Sequence, residues 1–263
     1  QPQQQPGRAP QRRQDPVVKV ERLGGAVYKM RKGSDSFARK YYTGKEACKK
    51  DGDMNKEFRA LQALRKVDGV VHGYYPKDSD KPTYDGFQTR ACYMDFELVR
   101  GTSLDKTEPV LLYDKTRPHL YEEKRNSLAR KVVRALQNLH SAGYAHLDLQ
   151  PANIMVTHDL SAVTIVDLGL AVKRLDQRSY GGWRKGTPGF MAPEMVRGQA
   201  ESLQFCDVYS LGRTLQDIFY GNNNTLPTVG VASVIEGMIH IYPGKRTTLR
   251  DAMRELESQK EIK

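Results

Sequence analysis

Tryptophan occurs once and cysteine three times in 263 residues. Cys48, Cys92 and Cys206 have no metal-ligand spacing, and so sparse an odd set does not build a disulfide framework. Cysteine usage therefore leaves the redox compartment undecided, and buried free thiols are the expectation for Cys48 and Cys92. No apolar run approaches the roughly 20 residues needed to cross a bilayer. A charged start followed by an apolar stretch is also missing, which leaves open whether a leader precedes residue 1. No internal repeat and no long basic block occurs. These absences argue against a membrane-spanning helix, a disulfide-built scaffold and a repeat array. What is present is 38% apolar residues, enough for the core of one large domain or of two lobes. The net charge of +11 suggests an anionic partner: a nucleotide, an acidic protein, a membrane surface or a nucleic acid. Lys and Arg are scattered, so a solvated basic surface explains the charge equally well. No nucleic-acid motif accompanies it, and none is expected to bind.

Residues 1–15, QPQQQPGRAPQRRQD, have nothing to bury and read as a disordered or extended tail. VVKVERL, AVYKMR and SFARKYY read as strands on their β-branched and aromatic content. Met54, Phe58, Leu61 and Leu64 recur at helical spacing, which predicts a helix over 53–66. TRACYMDFELV reads as a long strand. In 122–142, Leu128, Val132, Leu136 and Leu139 predict a helix. AVTIVDLGLAV returns to short strands around a loop, and 204–219 is apolar on most faces, as a buried helix would be. GNNNT is a polar loop, and a last helix starts near Thr248. The fold class is α+β, with a tail at 1–15, a β-rich lobe at 16–99 and a helical lobe at 100–263, joined near Val99–Thr102.

The most informative stretch is HLDLQPANIMV, His146 to Val156. Asp148 and Asn153 lie five residues apart, with Pro151 stiffening the loop between them. Fourteen residues after Asn153 comes Asp167 in VDLGLA, and twenty-seven further on Glu194 in GTPGFMAPE. Singly, Asp148 reads as a turn residue and Asp167 as a helix cap. The ordered set is what carries meaning.

That set resembles the protein kinase superfamily, whose catalytic loop reads His-Arg-Asp-Leu-Lys-Pro-x-Asn against His-Leu-Asp-Leu-Gln-Pro-Ala-Asn here. Asp167-Leu168-Gly169 resembles Asp-Phe-Gly, and Ala192-Pro193-Glu194 resembles Ala-Pro-Glu. The resemblance runs from about Val17 to the last helix. It implies a bilobal fold and phosphoryl transfer from ATP with Mg2+ to protein substrates, by an enzyme expected to be monomeric. Transfer of this kind demands charge neutralisation and in-line positioning more than covalent help. Asp148 would accept the proton of the substrate hydroxyl. Asn153 and Asp167 would hold magnesium, a hard cation that wants oxygen ligands. Lys40 in FARKYY would bind the α/β-phosphates, kept in place by Glu57 on the regulatory helix. Val27 and Glu97 are further nucleotide-lining positions by resemblance. DVYSLG, 207–212, fits the buried helix of the large lobe, and Arg246 in PGKRTT the partner of Glu194. GTPGF, with Thr187, resembles the Ser/Thr class. Ser179, Tyr180 and Thr187 are candidate phosphorylation positions, Thr187 being read instead as a structural contact near the substrate.

The departures matter as much as the matches. Against the pattern Gly-x-Gly-x-x-Gly-x-Val, with Val27 as the valine, Gly25 falls on the third glycine, but Arg22 and Val20 occupy the first two positions. RLGGAV reads instead as two strands joined by a two-residue Gly24–Gly25 hairpin, too short to cover phosphates. Leu147 stands where an arginine could pair with a phosphorylated activation segment. Gln150 stands where a lysine would meet the γ-phosphate. The segment between the buried helix and Arg246 looks short. Loss of the loop with retention of HLDLQPAN and DLG resembles the with-no-Gly-loop kinases of apicomplexan parasites, relatives of the rhoptry kinases. That resemblance implies secretion into the parasitophorous vacuole and dense-granule protein substrates there, with a cytoplasmic location as the alternative. The basic surface also fits an anionic membrane. The same group contains a bradyzoite pseudokinase, so a scaffold or binding module with little nucleotide binding is the competing expectation, as is a disulfide between Cys48 and Cys92 if the chain is secreted.

Overall fold

Alternating β-branched and aromatic residues build the first layer. β1 (Val17–Gly24), β2 (Val27–Lys32), β3 (Asp35–Thr43) and β4 (Ala91–Glu97) form one antiparallel sheet in the order β1-β2-β3-β4. The structure is a computed structural model and describes residues 16–44, 46–73, 91–107, 118–174, 185–220 and 229–258. The expected tail at 1–15 and the GNNNT loop lie outside them. One face of the sheet receives α1 (Asp53–Leu64), whose Met54, Ala60, Leu61 and Leu64 are buried. On the other face Tyr28, Tyr41 and Tyr93 form a tilted aromatic row across three strands. Arg39 lies over Tyr93 and makes a bidentate pair with Asp95.

The second layer is helical. In α2 (Pro118–Ser141), Leu128, Val132, Leu136 and Leu139 are fully buried. The helix begins four residues earlier than its apolar spacing suggests, because Pro118 costs nothing in a first turn whose N–H groups have no helical partner. Short strands flank it: β5 (Thr102–Ser103) before it, and β6 (Tyr144–Ala145), β7 (Ile154–Val156), β8 (Val163–Ile165) and β9 (Val172–Lys173) after it. Pairing of β5-β7-β8 and of β6-β9 carries the loops that hold the candidate site. α3 (Pro193–Arg197), α4 (Leu203–Tyr220), α5 (Val229–Met238) and α6 (Leu249–Ser258) complete the lobe. Gly212 lets α4 approach the end of α5 closely, since a Cβ there would lie 2.7 Å from Met238 Cβ and Ile239 Cγ2. Between the layers, Val71 donates to the Ile165 carbonyl at 2.9 Å and Ile165 to Gly69 at 2.8 Å, so the segment after α1 is stitched to β8.

Two expectations are corrected here. The hairpin turn is Gly25–Ala26, because Gly24 already pairs with Val27 in the ladder; Gly25 takes the left-handed φ of +49° that a two-residue turn needs. Cys48 and Cys92 are not free thiols. They form a disulfide, because β4 runs beside the segment leading into α1 and brings their Cα atoms to 5.8 Å. Cys206 remains a buried free thiol.

Candidate active site

Period-two alternation puts Lys40 and Tyr42 on the α1 side of β3. Lys40 Nζ lies 3.0 Å from Glu57 Oε2, 3.3 Å from Oε1 and 2.6 Å from Asp167 Oδ1. Glu57 is 1% exposed, and its Oε2 also accepts the Tyr42 hydroxyl at 2.6 Å. Burial works against the Lys40 ammonium, but the charges of Glu57 and Asp167 outweigh it and hold Lys40 above the usual lysine range. Burial likewise opposes the Asp167 carboxylate, yet Lys40 and the Gly169 amide keep it below the usual aspartate range. Lys40 and Asp167 thus favour their charged forms, whereas burial raises Glu57.

The loop from β6 to β7 is set by a buried acid on α4. Asp207 is fully buried and accepts the His146 and Leu147 amides, each at 2.7 Å, and His140 Nε2 lies 2.8 Å from it. This clamp holds Leu147 at a left-handed φ of +68°, a strained conformation for leucine, and turns Asp148 out of the core. Leu147 itself is buried among apolar neighbours, with no charge to offer a phosphate. Asp148 Oδ1 accepts the Thr187 amide at 2.8 Å and hydroxyl at 2.7 Å. Its Oδ2 faces Asn153 Nδ2 at 3.2 Å and Gln150 Nε2 at 3.4 Å, and Gln150 also donates to the Thr187 hydroxyl. Asn153 sits on a one-turn 3-10 helix that Pro151 starts, and a further bond to the Asp148 carbonyl at 2.8 Å fixes its amide.

Asp167 follows β8 at φ +61° and caps the next 3-10 turn by accepting the Gly169 amide at 3.2 Å. Among the described residues no three His, Cys, Asp or Glu side chains close into a metal site. Asp167 and Asn153 offer oxygen donors that suit magnesium, provided phosphate and water complete its shell. Arg246 is held by Glu194 through two bonds of 2.6 and 2.7 Å, and it also donates to the Phe205 carbonyl at 2.8 Å. Ser179 and Tyr180 lie outside the described residues.

Val27 pairs directly with Lys40 across β2 and β3 and is half-buried against the core. Glu97 ends β4 away from that cluster, its carboxylate taken by the His72 amide at 2.8 Å. The hairpin tip is closed by Arg22, whose Nε donates to the Gly25 carbonyl at 2.8 Å. The structure thus brings together Lys40, Glu57 and Asp167 in one cluster and Asp148, Asn153, Gln150 and Thr187 in another. Tyr42 and His140 were not singled out from the sequence. A tyrosine two positions after the strand lysine was the available signal for the first, since it must face the same way.

Residues 23–228 match the family model described as protein kinase domain. Among curated proteins the chain is 29% identical over 201 residues to a probable LIM domain-containing serine/threonine-protein kinase of Dictyostelium discoideum, covering 74% of this chain and 18% of that protein. It is 28% identical over 198 residues to a Wee1-like protein kinase of rice, Oryza sativa, covering 72% and 32%. It is 30% identical over 205 residues to a MAP kinase kinase of Saccharomyces cerevisiae, covering 76% and 37%. The chain therefore spans well under half the length of these relatives.

Proposed function

The chain belongs to the protein kinase family, and from that premise we propose that it is a Ser/Thr protein kinase that transfers the γ-phosphoryl group of ATP to protein hydroxyls without a glycine-rich loop. The observation that carries the reading is the pair of clusters: Lys40 with Glu57 and Asp167, and Asp148 with Asn153. The oxygen of the acceptor hydroxyl attacks the γ-phosphorus, its proton passes to Asp148, and the bond to the ADP leaving oxygen breaks. Asp167 and Asn153 would hold magnesium bound with the nucleotide, and the ion would supply neutralisation of the phosphate charge. Lys40 neutralises the α/β-phosphates once ATP draws it from Asp167. Asp148 must exchange its Thr187 hydroxyl contact, or share it, to receive substrate. Gln150 supplies a hydrogen bond but no charge, so neutralisation leans on Lys40 and the metal.

We also place the chain with the with-no-Gly-loop kinases, secreted to a vacuolar compartment and acting on proteins there. The Cys48–Cys92 disulfide supports an oxidising destination. The competing reading, a pseudokinase scaffold, is favoured by the short hairpin and by Asp148 and Lys40 both being engaged internally. The deciding experiment measures ATP-dependent phosphate incorporation into a generic Ser/Thr acceptor. Transfer abolished by Asp148→Ala supports the kinase. A ligand at a hundred times its dissociation constant adds about 2.7 kcal/mol of stability. No thermal shift at high millimolar ATP with magnesium, together with no turnover, leaves only the scaffold.

A further inference from the structure

We propose that Tyr42 is a positioning residue for the phosphate-binding lysine: its hydroxyl anchors the Glu57 carboxylate, and through it Lys40, independently of any bound nucleotide. The proposal rests on the kinase reading of this site and adds to it a residue that the catalytic-loop motifs do not include.

The geometry is specific. Glu57 is the acceptor for two donors from the same face of β3, Lys40 and Tyr42, two residues apart. Oε2 takes both, at 3.0 Å from the lysine and 2.6 Å from the phenol. Lys40 is the mobile member of this trio, since it also reaches Asp167 and must turn toward phosphates when they arrive. A carboxylate facing Lys40 alone would have to share its only donor with the phosphates, inside the core, where an under-satisfied charge is costly. Tyr42 removes that cost because it has no second task. Its ring is buried at 8% exposure, and its own backbone is fixed opposite Cys92 in the ladder with β4. Cys92 is in turn bonded to Cys48, just ahead of α1. The helix carrying Glu57 is thus held to the sheet at two points, the disulfide before its first turn and the Tyr42 hydroxyl at its second.

Such an anchor matters more here than in a chain with a phosphate-covering loop. The Gly25–Ala26 turn offers little to hold a nucleotide, and buried Leu147 cannot transmit an activating charge. The groups facing Glu57 are Lys40 and Tyr42 from β3 and Asp167 from the loop after β8. Asp53 lies on α1 itself and acts on Tyr42. On β4, Asp95 is committed to Arg39 on the far face and Glu97 to His72. Burial raises Glu57, the Lys40 charge and the phenol hydrogen bond work against that rise, and Asp167 adds to it.

Tyr42→Phe keeps the ring and removes only the donor. A hydrogen bond to a charged buried group is worth enough that kcat/KM for ATP should fall roughly 10-fold. The acidic limb of the pH–rate profile should move to higher pH, because the carboxylate loses a donor that favours its charged form. In a Glu57→Gln background the same change should have little further effect. A lowered melting temperature with unchanged kcat/KM and an unmoved acidic limb overturns the proposal and leaves the kinase reading standing. Absence of phosphate transfer by the wild type overturns the kinase reading instead. Tyr42 is then tested through Lys40 acylation by an amine-reactive ester at mildly alkaline pH, followed by mass spectrometry. Several-fold faster labelling in Tyr42→Phe supports the anchor, and equal rates overturn it.

Discussion

At the scale of single residues, buried charge decides what the site can tolerate. Glu194 and Arg246 form a bidentate pair, with the Arg246 side chain fully buried. Breaking one partner of a buried pair leaves the other uncompensated, which costs about 3–5 kcal/mol. Burial opposes the Glu194 carboxylate, but Arg246 holds it below the ordinary value of 4.5. A depressed carboxylate contributes its stability in full above its unfolded pKa and loses it as pH falls through the folded one. Acid titration of stability should therefore show a loss below about pH 4.5 that is smaller in Glu194→Gln, read as thermal midpoint against pH. Asp148, Asn153, Asp167, Lys40 and Glu57 were legible because their chemistry needs fixed types at fixed spacing. Tyr42 was not, because a hydroxyl that acts through a helix residue has no motif of its own.

At the scale of elements, the β1–β2 hairpin separates conformation from contact. Gly25 needs its left-handed φ of +49°, whereas a Cβ at Gly24 meets nothing within 4 Å. Gly25→Ala should cost about 1–2 kcal/mol through backbone strain. Gly24→Ala should stay within about 0.5 kcal/mol. ATP affinity, measured by calorimetry, should be unchanged in both, since this turn is closed on itself by Arg22 rather than spread over phosphates. Periodicity located the strands and helices well, and its misses have local causes. The turn slipped by one residue because Gly24 is as good a ladder residue here as a turn residue. The second helix begins earlier because proline leads its first turn, where the missing N–H costs no helical hydrogen bond.

At the scale of the whole molecule, two lobes are tied by different means. The segment 69–71 and β8 share backbone hydrogen bonds, while within the β-rich lobe the 44-residue separation of Cys48 and Cys92 is closed covalently. In the chain-entropy account, a loop of that size removes about 4 kcal/mol of unfolded-state freedom. Reduction, or Cys48→Ser with Cys92→Ser, should therefore lower the melting temperature clearly. Cys206→Ser should leave the response to reductant unchanged, because Cys206 has no disulfide partner. The net charge of +11 is spread over both lobes and bears on solubility and encounter more than on fold.

The sequence by itself determined the family, the order of the elements and the identity of the charged residues, because each depends on local pattern or on spacing along the chain. It also puts Arg22 and Val20 where the phosphate-covering pattern has glycines. Tertiary structure alone decided that Cys48 meets Cys92, that Asp207 holds the strained Leu147, and that Tyr42 shares Glu57 with Lys40. Those three depend on which strand lies beside which helix, and distance through space is not written in distance along the chain.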